Sequence, residues 1–178
     1  MSWERELFAL LDDLESQAEA LWESEREAEL ADRARSEYAS VGLATRVMAS
    51  RGQDVQVDLP HVGRVEGRVD RVGPDWFLLT GRGQDWVVAL SRVVSIAGAS
   101  ARSVPDAAWS PVDRLGLRSA LRRVADSGER CLVHLVDGSR HEAVLRRVGE
   151  DFVECLVGAG HDLLVPFAAL VAVQSREG

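Results

Sequence analysis

The residues of this chain whose types lend themselves to chemistry are four histidines, two cysteines and two glycine-rich segments that each end on an aspartate. His61, His134, His141 and His161 raise the question of a metal site. If Asp137-Gly138 were a two-residue hairpin turn, His134 would lie directly across from His141. Side-chain parity argues against this arrangement. Cys131, Val133 and Leu135 alternate as the core face of one strand, and His141, Ala143 and Leu145 as that of the next. A two-residue turn would set inward Val133 against outward Glu142. A three-residue loop, Val136-Asp137-Gly138, restores core to core, so His134 points outward and His141 inward. Transition-metal sites need several converging ligands, and none converge here. Cys131 and Cys155 stand 24 residues apart with no second pair, so neither a disulfide framework nor a zinc ribbon is indicated. Both fall on core faces, whereas a reactive thiolate wants an exposed, electropositive setting.

Gly81-Arg82-Gly83-Gln84-Asp85 and Gly158-Ala159-Gly160-His161-Asp162 have the look of phosphate-cradling loops. Such loops work when a helix N-terminus follows them. Here a strand follows, so they read as hairpin turns in which glycine supplies positive φ. No Ser/His/Asp set and no pair of carboxylates stands out, so neither an enzyme nor a cofactor is expected. Trp76 and Phe152 open equivalent strands and Trp86 opens another. Packing is the first reading of such aromatics; a stacking surface for bases or a proline-rich peptide is the second. Arg64, Arg68, Arg71, Arg82 and Arg92 accompany the first set of strands, and Arg140, Arg146 and Arg147 the second. Interleaved with acids they describe a mixed solvated surface; clustered in space they would form a weak phosphate track.

The elements that position these residues follow from composition. The 178 residues include 21 arginines and neither lysine nor asparagine, a bias that reads as a GC-rich bacterial genome. Residues 1–40 hold 12 acids and 4 arginines, a net of −8, and the remainder is neutral with 17 of each. A nucleic-acid binder usually shows the reverse, a basic arm or face. No apolar run approaches the ~20 residues of a membrane span, and the N-terminus lacks the basic and apolar regions of a secretory signal, so a cytoplasmic protein is expected. From Ser2 to about Ser40 there is no Gly or Pro, and Leu7, Leu10/Leu11, Leu14, Ala18, Leu21, Ala28 and Ala31 form one apolar stripe on a charged rod. The heptad seam fails at Gln17, Ser24 and Arg35, against a long dedicated coiled coil. A rod of about 40 residues is ~60 Å long, more than a small domain covers.

After Gly42 and a short helical stretch the period switches to two, with strands expected around Val55–Leu59, Val65–Val69, Trp76–Thr80, Trp86–Leu90 and Val93–Ile96. Residues 99–112 read as a linker, and Leu117, Leu121 and Val124 mark an amphipathic helix ending before Gly128. Then the strands return as a copy. Val72-Gly73-Pro74-Asp75-Trp76 matches Val148-Gly149-Glu150-Asp151-Phe152 at a shift of 76. Past a one-residue insertion the shift is 77, pairing Val88-Ala89-Leu90 with Val165-Pro166-Phe167 and Val93-Val94-Ser95-Ile96 with Leu170-Val171-Ala172-Val173.

Each helix-led set of five strands resembles the Sm-like (LSm) family, an SH3-like small barrel, over residues ~43–98 and ~117–175. The whole is similar to a group of actinobacterial proteins that carry an acidic helix ahead of paired barrels. The resemblance implies an α+β fold: an acidic amphipathic helix (1–42), a first barrel (43–98), a linker (99–112) and a second barrel (113–178). The RNA-binding members carry an Asn four residues after the motif Asp and an Arg-Gly at the last turn. Here Leu79 and Cys155 hold the Asn positions, and Ser91-Arg92 and Ala168-Ala169 the turns, so the uridine pocket is absent. The expected function is a non-catalytic protein-binding or scaffolding module. It would use the stripe of Leu7, Leu14 and Leu21 to engage a protein partner or a second copy through residues 1–40. The alternative is an RNA- or DNA-binding regulator with a modified site, its surface drawn from Trp76, Phe152, Arg68, Arg82, Arg92, Arg146 and Arg147, and its nucleic-acid affinity weak.

Overall fold

The computed structural model describes residues 3–81 and 83–175, apart from the side chains of residues 4–10 and 12. The chain divides into two compact units, Met1–Val41 and Gly42–Gly178. The first is a single helix, α1 (Trp3–Ala39), built from strong helix formers with no Gly or Pro inside it. Local pairs such as Gln17 with Asp13 and Arg35 with Asp32 decorate its surface. The helix closes in a turn where Ser40 N–H and Val41 N–H reach back to the carbonyls of Glu37 and Tyr38.

The second unit contains α2 (Leu43–Met48), β1 (Asp54–Leu59), β2 (Gly63–Val72), β3 (Trp76–Thr80), β4 (Asp85–Ala89) and β5 (Ser95–Ala97). After a loop come α3 (Leu117–Ser127), β6 (Arg130–Leu135), β7 (Arg140–Val148), β8 (Phe152–Val157), β9 (His161–Pro166) and β10 (Leu170–Ser175). Alternation shapes the strands: β1 buries Val55, Val57 and Leu59 and leaves Asp54 and Gln56 exposed. Helix α3 buries Leu117, Ala120 and Leu121 and stops at Gly128, whose φ of 65° is the left-handed cap that glycine adopts without strain.

The expectation of two separate five-stranded barrels is overturned. The strands form one open, antiparallel ten-stranded sheet in the order β5-β1-β2-β3-β4-β10-β6-β7-β8-β9. Each half keeps the same internal order, and the registers correspond: Val57 pairs with Ile96 in the first and Val133 with Val173 in the second. Both long hairpins shift register at the same place, after Val69 and after Leu145. The physical reason for one sheet is the pairing of β4 with β10, which continues the ladder from one half into the other.

The cores are shared across that join. The first centres on Val57, Val69, Phe77, Leu79 and Val88, and takes in Val171 and Ala172 from β10. The second centres on Leu121, Val133, Leu145, Val153 and Leu170, and takes in Trp76 and Ala89 from the first half. Neither core is complete without side chains from the other half.

Candidate interaction surfaces

Where the halves meet, the ladder is three residues long: Trp86 opposite Gln174, Val87 opposite Val173 and Val88 opposite Ala172. Side chains lock its ends. Asp85 N–H donates to Ser175 Oγ (2.7 Å), and Gln174 Nε2 donates to Gln84 Oε1 (2.7 Å). Gln174 Oε1 then accepts from His134 Nε2 at 2.9 Å, which places the imidazole proton on that nitrogen. The His134 ring stacks on Trp86 with centroids 5.3 Å apart. Burial holds the His134 pKa below its ordinary value, against the hydrogen bond it donates to Gln174, and nearby Arg140 adds to the lowering. Further along, the Asp75 carboxylate accepts from Leu117 N–H at 2.7 Å, satisfying a free donor at the start of α3. Trp76 Nε1 donates to the Leu115 carbonyl, and the Arg92 guanidinium donates to that of Ala168.

The stripe on α1 presents a different surface. Leu14 and Leu21 are both exposed, as are Leu11, Trp22 and Leu30. The Leu7 side chain lies outside the described residues.

The aromatic and arginine positions fall into separate places. Trp76 is buried, 9 % exposed, inside the second core. Phe152 is half-buried, its ring packed over Gly149, where a Cβ would come within 2.4 Å of it. Arg68 pairs with Asp54 at 3.6 Å, and Arg147 grips Glu154 through Nε at 2.6 Å and a terminal nitrogen at 3.1 Å. Arg92 is committed to Ala168 across the join, Arg146 is exposed, and Arg82 lies outside the described residues. Arg51–Asp113 and Arg64–Asp58 are further ion pairs. These arginines thus stand apart rather than in one cluster, and Arg51, Arg64, Arg68 and Arg147 are each matched with an acid.

The three-residue loop is present: Leu135 N–H bonds the Ser139 carbonyl, Gly138 has φ 86°, and Val133 lies opposite His141. Among the described residues no group of three or more His, Cys, Asp or Glu converges as for a metal ion. Burial pushes the Cys131 thiol up to about 12 and that of Cys155 up to about 11, so both stay protonated. A cleft of about 490 Å³ opens beside α3, lined by the apolar Leu78, Val87 and Val124 together with Arg71, Asp85 and Arg123. Among the described residues no helix is long and apolar enough to cross a membrane.

Sequence reasoning missed the His134–Gln174–Gln84 chain. Parity correctly turned His134 away from its own core, but only the sheet order reveals that Trp86 covers that outer face. No family model and no curated protein matches this chain.

Proposed function

We propose that this chain is a non-catalytic binding or scaffolding protein of the cytoplasm that engages a protein partner, or a second copy of itself, through α1. The observation that carries this reading is the exposure of the apolar residues Leu11, Leu14, Leu21, Trp22 and Leu30 on one charged helix. Covering a leucine is worth ~1.5–3 kcal/mol, so a handful of such residues supplies a substantial drive for association.

Deleting residues 1–40 should lower the mass in light scattering, or abolish capture of the partner, while leaving the melting of the sheet unit unchanged. Leu14→Asp should mimic the deletion, because burying an unpaired carboxylate is costly. Unchanged association after both changes would sink the proposal.

The matched ion pairs of Arg68 and Arg147 and the burial of Trp76 favour a protein partner over nucleic acid. Phosphate contacts supply most non-specific affinity, and the −8 charge opposes them. Oligo-uridine should therefore bind weakly and without saturation at physiological salt. Tight binding lost on Arg146→Ala would favour the nucleic-acid reading instead.

A further inference from the structure

Charge on α1 is sorted by face. Written as heptads with Leu14, Leu21 and Ala28 at position a, the helix has Ala31 at d and is widened by Leu11 and Ala18 at e. The positions that border such a seam are e and g. Among the described side chains they hold Asp13, Glu25, Glu27 and Asp32, all exposed. No e or g position between Trp3 and Ala39 is an arginine. In the sequence Arg5, Arg26 and Arg33 all take position f, opposite the seam. The remaining arginine, Arg35, is held by Asp32 of the same helix. Residues 1–40 have 12 acids and 4 arginines, so some bias toward acid is expected at any position. A border of acids alone, with the arginines gathered on the back, goes beyond that bias.

The sorting decides what can lie along the stripe. Two copies of α1 laid seam to seam would bring like borders together. A parallel pair opposes g of one helix with e of the other, and sets Glu27 against Asp32 of the second copy. An antiparallel pair opposes g with g and e with e. In neither orientation does an acid meet an arginine, and charges at e and g are what select the partner and orientation of paired helices. Helix α3 is basic, with Arg118, Arg122 and Arg123, but its apolar Leu117, Ala120 and Leu121 are already buried in the second core. Neither α1 nor α3 of a second copy therefore offers a free apolar stripe with a basic border.

We propose that α1 receives a basic amphipathic helix of a different protein, whose apolar seam is flanked on both sides by Arg or Lys. The proposal rests on the reading of α1 given above and narrows it to one kind of occupant. Leu11, Leu14, Ala18 and Leu21 make the apolar contact, and from Leu11 to Ala31 the stripe runs ~30 Å, about three heptads. Gln17 and Ser24 interrupt the seam at d, so the apolar contact is modest and the borders discriminate. Acids at those borders attract the basic helix and turn a second copy away, the pairing of attraction and repulsion that specific interfaces use.

The test uses the full-length chain and two synthetic helices of about four heptads, each with Leu at a and d. One probe has Arg at e and g, the other Glu. In analytical ultracentrifugation the chain alone should sediment as a monomer, and with the Arg-bordered probe as a complex of one chain and one helix. Calorimetric titration should give saturable binding at least ~tenfold tighter than for the Glu-bordered probe, weakening as salt screens the borders. Leu14→Asp should weaken binding of the Arg-bordered probe although it makes α1 more acidic, because a carboxylate in the seam is costly to bury. Glu25→Arg with Glu27→Arg should move the preference toward the Glu-bordered probe. Glu19→Arg with Glu23→Arg changes the net charge equally, but at f and c on the back, and should leave the preference as it was. Binding of neither probe, equal binding of both, equal effects of the border and back pairs, or a wild-type dimer that Leu14→Asp takes apart would each overturn the inference. That last outcome would keep α1 as an association surface and change only its occupant. Binding of neither probe, together with partner capture untouched by Leu14→Asp, would remove both readings.

Discussion

His134 shows how a single side chain reports on the contact between the halves. The residue is 8 % exposed, its ring stacked on Trp86 and bonded to Gln174, and burial disfavours its protonated form. In the unfolded chain the imidazole takes up a proton near pH 6.5. The folded state resists that proton, so acidification from pH 7 toward 5 favours unfolding. A plot of denaturant midpoint against pH should fall over that range, and His134→Gln should flatten it. Asp58 and Asp113, each lowered chiefly by a serine hydroxyl bond, give up their contribution only as pH falls through the carboxylate range, so the two effects separate. Gly73 is a second diagnostic position. A Cβ there would meet Trp76 Nε1 at 2.2 Å and the Leu115 carbonyl at 2.5 Å. Gly73→Ala should cost about 1–3 kcal/mol by overpacking, read from urea unfolding. Neither effect was legible from the residues alone: parity gives the face a side chain occupies, not which strand covers that face.

At the scale of elements the sequence was largely readable. The uninterrupted run of Ala, Leu, Glu and Arg became α1, and the period-two segments became strands close to their expected bounds. The one-residue insertion between Asp75 and Gly81 of the first set and their counterparts appears as β8 running Phe152–Val157, one residue longer than β3. What stayed hidden was how the elements assemble. Gln84 and Gln174 are 90 residues apart, and local pattern carries no information on which strand ends up beside β4. The linker was readable as irregular, yet its far end is tied down: Asp75 caps α3 from the opposite half. Asp75→Ala should remove that cap and cost roughly 0.5–2 kcal/mol in a thermal or denaturant melt. Asp151→Ala, at the counterpart position, has no such bond to lose and should be close to neutral. A large loss at Asp151 would mean that its carboxylate has work of its own.

For the molecule as a whole, the failure of the two-barrel expectation has an energetic reading. Trp76 and Ala89 complete one core, Val171 and Ala172 the other, so separating the halves would uncover both at once. The sheet unit should therefore melt in one cooperative transition, with calorimetric and van't Hoff enthalpies in agreement. Two resolved transitions would show that the halves hold together independently. That interlocking also bears on how the protein is made. Strand β10 is the last of the sheet to be synthesised, and it supplies Val171 to a core whose other strands leave the ribosome long before. Until it arrives, the first half waits with an uncovered core and an open β4 edge, a state prone to capture by neighbouring nascent chains. A stop codon at Leu170 should thus disable the half that was translated first, and translation speed through the second half becomes a determinant of yield.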